Sequence, residues 1–142
     1  MSQLYLELLE NNINLYYFDI SKKKDILLVF TQFLLQNKSQ NNLFTSLTIH
    51  NNEISIICDS SIENFLDFDD FVVKKNFRCV KIYDICDNIE QIGIVAKISN
   101  ILTTIDIPIL YINSYNNNYV IIENIHITNA LKELEKFDFS MI

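Results

Sequence analysis

"HNNEISII", residues 50–57, and "NNNYVII", residues 116–122, decide how this chain is divided. Each reads as a polar turn running into an apolar, β-rich strand, and Asn52 falls over Asn118 at a spacing of 66 residues. Flanking matches keep the same order. "YFDI" at 17–20 and "IYDI" at 82–85 lie 65 apart, and "ILLV" at 26–29 and "IGIV" at 92–95 lie 66 apart. Leu66 of "ENFL" and Leu131 of "TNAL" are again 65 apart. Ordered matches at nearly one offset identify a tandem duplication. The chain is accordingly divided into unit one, residues 1–72, and unit two, residues 73–142.

Each copy spells strand, helix, strand, strand, helix. Residues 13–20 are β-rich between polar turns. Residues 25–36 carry apolar side chains at 26, 29, 30 and 33, a helical stripe. Residues 43–49 and 54–58 read as short strands joined through His50-Asn51-Asn52-Glu53, and Ser60 or Ser61 then caps a short helix through Leu66. The second copy repeats these elements over 77–85, 91–104, 107–115, 119–123 and 128–137. Pro108 opens its strand, where a missing N–H costs the ladder least. Residues 4–9 and the final "FDFSMI" supply edge strands, and "DFDDFVVKKN" (67–76) is a short charged bridge. This order predicts an α+β fold of two ferredoxin-like βαββαβ units packed together.

Composition narrows the function. With 142 residues, a net charge of -7 and one arginine, Arg78, the chain has no clustered basic face for nucleic acid. No apolar run reaches the length of a membrane span, and the N-terminus lacks the marks of a signal peptide, so a cytoplasmic protein is expected. Cys58, Cys79 and Cys86 form no CxxC pair, and His50 and His126 have no second His or Cys at metal-ligand spacing. No base is placed to activate a thiol, and no GxxxxGK[ST], GxSxG or HExxH occurs. The expectation is a protein with no catalytic residues, no metal and no cofactor: not an enzyme.

Gly93 is the one glycine in the sequence. It stands where the second copy's helical pattern begins. One reading is that it relieves close packing of helix against sheet. The other is that it opens the unpaired amides of a helix start to an anionic group, such as a ligand carboxylate. The first copy has Leu27 at the matching place, which would block that approach, so a site would belong to the second copy.

The stretch "GIVAKISNILTTIDIPILYINSYNNNYVII" (93–122) resembles the ACT domains of the CASTOR family, cytosolic arginine sensors acting on TOR signalling. The resemblance rests on the GIVA helix start, the D-I-P strand entry, the Ser114-Tyr115 turn and the apolar strand after it, with "LFTSLTIHNNEISIICD" following more loosely. It implies two ACT-like units, an amino-acid ligand held at an interface between ACT units, and nutrient sensing through a protein partner. Larger members of the family carry four units, so a two-unit chain is expected to dimerise to build an equivalent site.

The amides of the helix start at Gly93, Ile94 and Val95 are expected to take the ligand carboxylate, and the family pocket is carried onto this sequence at four further residues. Pro108 and Ile109 form its wall, and Gln91 and Asn118 select the ligand's other end. Gln91 and Asn118 stand where the family has carboxylates. A guanidinium buried without an acidic partner is costly, so a small neutral amino acid is expected rather than arginine. Two alternatives stay open: a ligand-free ACT-type interaction or dimerisation module, and a regulatory half once attached to an enzyme.

Overall fold

A computed structural model of the protein describes residues 4–36, 43–84 and 93–142. Its strands are β1 (Leu4–Leu8), β2 (Ile13–Asp19), β3 (Ser46–His50), β4 (Glu53–Asp59), β5 (Val72–Asp84), β6 (Leu110–Asn113), β7 (Asn118–Glu123) and β8 (Phe139–Met141). The helices are α1 (Lys23–Gln36), α2 (Ile94–Thr103) and α3 (Ile127–Glu135), with 3-10 turns at Ile20–Lys22, Ser60–Phe65 and Asn124–His126. The chain forms two compact units, one of Glu10–Phe77 and the other of Met1–Leu9 with Arg78–Ile142. Each is a ferredoxin-like α+β unit.

In the unit Glu10–Phe77 the strands lie in the order β3, β4, β2 and the first part of β5. β2 runs antiparallel to β4 over its whole length, from Ile13 opposite Asp59 to Asp19 opposite Glu53. Strand alternation turns Tyr16 and Phe18 of β2 and Ile54, Ile56 and Cys58 of β4 to one face. There they meet Ile26, Val29 and Phe33, which recur at helical spacing on α1. The β3–β4 hairpin closes between His50 and Glu53, and Asn51 takes a positive φ of 52° that asparagine tolerates. The last helical segment is a 3-10 turn. It is capped by neither serine expected for that role: Asp59 accepts a hydrogen bond from the Ser61 N–H at 3.0 Å.

In the other unit the order is β6, β7, the second part of β5, β1 and β8. β1 pairs antiparallel with β5, from Leu4 opposite Asp84 to Leu8 opposite Val80. β8 then pairs parallel with β1. Residues 4–8 are therefore an interior strand of this sheet, not the edge expected from sequence. Its core joins Leu4 and Leu6 to Val80 and Ile82, to Ile94, Ile98, Ile101 and Leu102 of α2, and to Ile127, Ala130 and Leu134 of α3.

The expected charged bridge over 67–76 is also different in kind. From Val72 onward it is the opening of β5, which pairs with β2 through Val72, Val73 and Lys74 and then shifts register at a bulge. Asn76 sits in that bulge with φ 69°. Its N–H donates to Asn14 Oδ1 at 3.0 Å, Asn14 Nδ2 donates to the Tyr16 hydroxyl at 3.1 Å, and that hydroxyl donates to Glu63 Oε2 at 2.7 Å. A division of the sequence at 72/73 falls at the start of this continuous strand.

Candidate functional site

The start of α2 is built from residues 93–97. Gly93 precedes the helix with φ 93° and ψ -6°, a left-handed conformation that costs an L side chain about 1–2 kcal/mol. A Cβ added there meets nothing within 4 Å among the described residues. Close packing against the sheet is therefore not what requires glycine; the backbone angle is. The Gly93 carbonyl accepts the Lys97 N–H at 2.8 Å, and no side chain among the described residues caps the helix. Ile94 turns into the core, while Gly93 and Val95 face solvent.

The first helix begins differently. Asp19 precedes its opening 3-10 turn and accepts the Ser21 N–H at 2.9 Å. The hydrogen bonds from the Ser21 side chain and N–H hold the Asp19 carboxyl below the usual aspartate value. Leu27 does not stand at this helix start, contrary to the repeat alignment; it lies in the second turn of α1, which begins at Lys23. What separates the two starts, among the described residues, is a carboxylate seated at one and a glycine without a side-chain cap at the other. An incoming carboxylate is repelled at the first, whereas at the second the dipole of the helix start favours an anion.

The remaining candidate residues are spread along the β6–β7 hairpin. Asn118, 7% exposed, opens β7 opposite Asn113. Leu110 lies opposite Ile121 at the other end of β6, about 10 Å away at 3.3 Å per residue. Pro108 and Ile109 lie before Leu110. The hairpin therefore carries Asn118 and the Pro108-Ile109 pair at opposite ends within one chain. Gln91 lies outside the described residues, as does Cys86.

Other titratable groups are engaged in structure. Burial pushes the Cys58 and Cys79 thiols up to about 12, against reactive nucleophiles in either place. Burial also raises Tyr16 above its ordinary value, so it keeps its proton and donates to Glu63. On β5, the Lys81 ammonium lies 4.4 Å from the centroid of the Tyr83 ring, and the Tyr83 hydroxyl donates to Glu7. Hydrogen bonding to Tyr83 raises the Lys81 pKa. Arg78 Nη2 donates to the Leu9 carbonyl at 2.8 Å. No group of three metal-ligating side chains occurs among the described residues, and no described helix is long and apolar enough to cross a membrane. The Asn14–Tyr16–Glu63 network was not anticipated from sequence, because its members are 47 residues or more apart except within β2.

Comparison with known proteins identifies an ACT domain: residues 72–136 match the model of that family. The matched stretch contains β5, α2, β6, β7 and α3. No curated protein matches the sequence. Among solved structures, a protein of Agrobacterium tumefaciens superposes with a TM-score of 0.73 at 16% identity, covering 99% of this chain and 92% of that one. A putative C-terminal regulatory domain of aspartate kinase from Porphyromonas gingivalis matches with a TM-score of 0.60 at 14% identity, covering 97% of each chain. The regulatory subunit of aspartate kinase from Thermus thermophilus matches with a TM-score of 0.65 at 11% identity, covering 94% of this chain and 95% of that one. At such identities these matches establish the fold. Nothing in these comparisons is specific to the arginine-sensor family.

Proposed function

We propose that this protein is a non-catalytic regulatory protein that binds a small amino acid at the start of α2 and passes occupancy to a protein partner. One observation carries the reading: within the ACT-matching stretch, no side chain among the described residues caps the helix start at Gly93, whereas the equivalent start in the other unit already holds Asp19. The ligand carboxylate lies against the amides of Gly93, Ile94 and Val95. Gln91 and Asn118, both uncharged, take the other end of the ligand and favour a neutral amino acid. Pro108 and Ile109 lie beyond the far end of β6 from Asn118, so in this proposal they wall the pocket from a second copy of the chain. The likeness to a regulatory domain and a regulatory subunit of aspartate kinases supports a regulatory role.

Isothermal calorimetry of the full chain against the amino acids one at a time tests this. One neutral amino acid is expected to bind. Val95→Trp, which adds bulk at an exposed position of the first helical turn, is expected to abolish that binding while leaving the thermal midpoint unchanged. Gln91→Glu is expected to shift preference toward cationic amino acids. Silence from every amino acid overturns the sensor and leaves the ligand-free interaction module.

A further inference from the structure

Helix α1 is apolar on two sides. Ile26, Val29 and Phe33 fill the core of their unit. On the opposite side Leu27, Leu28, Leu34 and Leu35 stay 36%, 58%, 49% and 62% exposed. No ionisable residue occurs from Ile26 to Gln36. A helix that is apolar all round normally has cover all round, and its own unit covers only one side here.

The exposed leucines are spaced symmetrically about Thr31. Leu28 and Leu34 lie three residues to either side, and Leu27 and Leu35 lie four. The Thr31 hydroxyl is already used, donating to the Leu27 carbonyl at 2.8 Å, so the centre of the face needs no polar partner.

We propose that this face is a self-recognition surface, on which α1 pairs antiparallel with α1 of a second copy about a two-fold axis at Thr31. An isologous contact requires a patch that complements itself under that rotation. The spacing provides one, setting Leu28 against the partner's Leu34 and Leu27 against the partner's Leu35. Charge selects the same direction. A parallel pair brings Lys22, Lys23 and Lys24 onto their own copies. The antiparallel pair moves them to the opposite end of the contact from their own copies, past the uncharged last turn of the partner helix, after which a single lysine, Lys38, follows in sequence. The inference goes beyond the ligand reading and does not rest on it, since α1 and the Gly93 site belong to different units.

Sedimentation of the full chain over a concentration series, with circular dichroism alongside, is the test. The wild type is expected to form a dimer that dissociates on dilution. Leu28→Glu and Leu35→Glu are each expected to weaken it roughly tenfold or more, as loss of a buried leucine does, with unchanged helix content and thermal midpoint. Thr31→Cys, combined with Cys86→Ser, is expected to cross-link two copies on mild oxidation, because the axis brings the two positions together. A wild type that is monomeric into the millimolar range overturns the proposal. So does a dimer indifferent to both glutamates, or a Thr31→Cys dimer that fails to cross-link. Binding of the wild type to lipid vesicles without dimerisation also overturns it and assigns the face to a membrane surface. Loss of amino-acid binding alone leaves it standing.

Discussion

Gly93 and Asn76 both occupy left-handed backbone, and they do so by different means. Glycine needs no partner there. Asn76 is held by a side chain from a strand 62 residues away, because Asn14 Oδ1 takes its N–H. Asn14 is only 5% exposed, and its amide also donates to Tyr16. Asn14→Leu is expected to destabilise the protein by roughly 1–3 kcal/mol, the loss of two hydrogen bonds at about 0.5–1.5 kcal/mol each, read as a lower urea midpoint with an unchanged slope. The helix-start glycine could be singled out in the sequence, since it is unique. Its cause could not, because a positive φ and a close contact call for the same residue. Asn14 and Asn76 carried no signal, lying among many other asparagines.

At the scale of elements, the repeat fixed the order of strands and helices but not which segment completes which sheet. In the unit Glu10–Phe77, the opening of β5 takes the fourth strand's place beside β2. In the other unit, β1 takes the equivalent place beside β5, and β8 is left to add outside it. Local pattern is blind to this exchange, since β1 and β8 are both short and apolar enough for either position. It has a mechanical consequence. Leu6, fully buried, belongs to the core of α2 and α3 although it lies near the N-terminus. Leu6→Ala is expected to cost about 2–5 kcal/mol, as for other core leucines. Hydrogen exchange should accelerate at Val120 and Ile122, which share that core, ahead of Ile54 and Ile56, which do not.

For the whole molecule, two separate cores each enclose buried hydrophobic side chains, and the two buried thiols bear on stability at alkaline pH. An unfolded thiol ionises near 9, whereas Cys58 and Cys79 hold their protons to about 12. The folded values are raised, so the contribution is fully present below about pH 9 and is lost as pH rises toward 12. In that window each thiol lowers stability by about 1.4 kcal/mol per pH unit, because the unfolded state binds fewer protons. Tyr16, also raised, acts in the same direction above its ordinary value of 10. Urea denaturation under reducing conditions, stepped upward from neutral pH, is expected to show this fall. A Cys58→Ala/Cys79→Ala variant, less stable at neutrality, is expected to show a shallower one.

The sequence by itself determined the helix and strand periodicities and the match of residues 72–136 to an ACT domain, because these reside in side-chain pattern along the chain. Tertiary structure alone decided that residues 4–8 lie between β5 and β8, that β5 runs on through the expected bridge, and that Asp59 rather than a serine caps the turn at Ser60–Phe65. It also separated Asn118 from Pro108 and Ile109 along one hairpin. Strand pairing, register and capping depend on which distant backbone groups meet, and segments of like hydrophobicity compete equally for those places until the cores select among them.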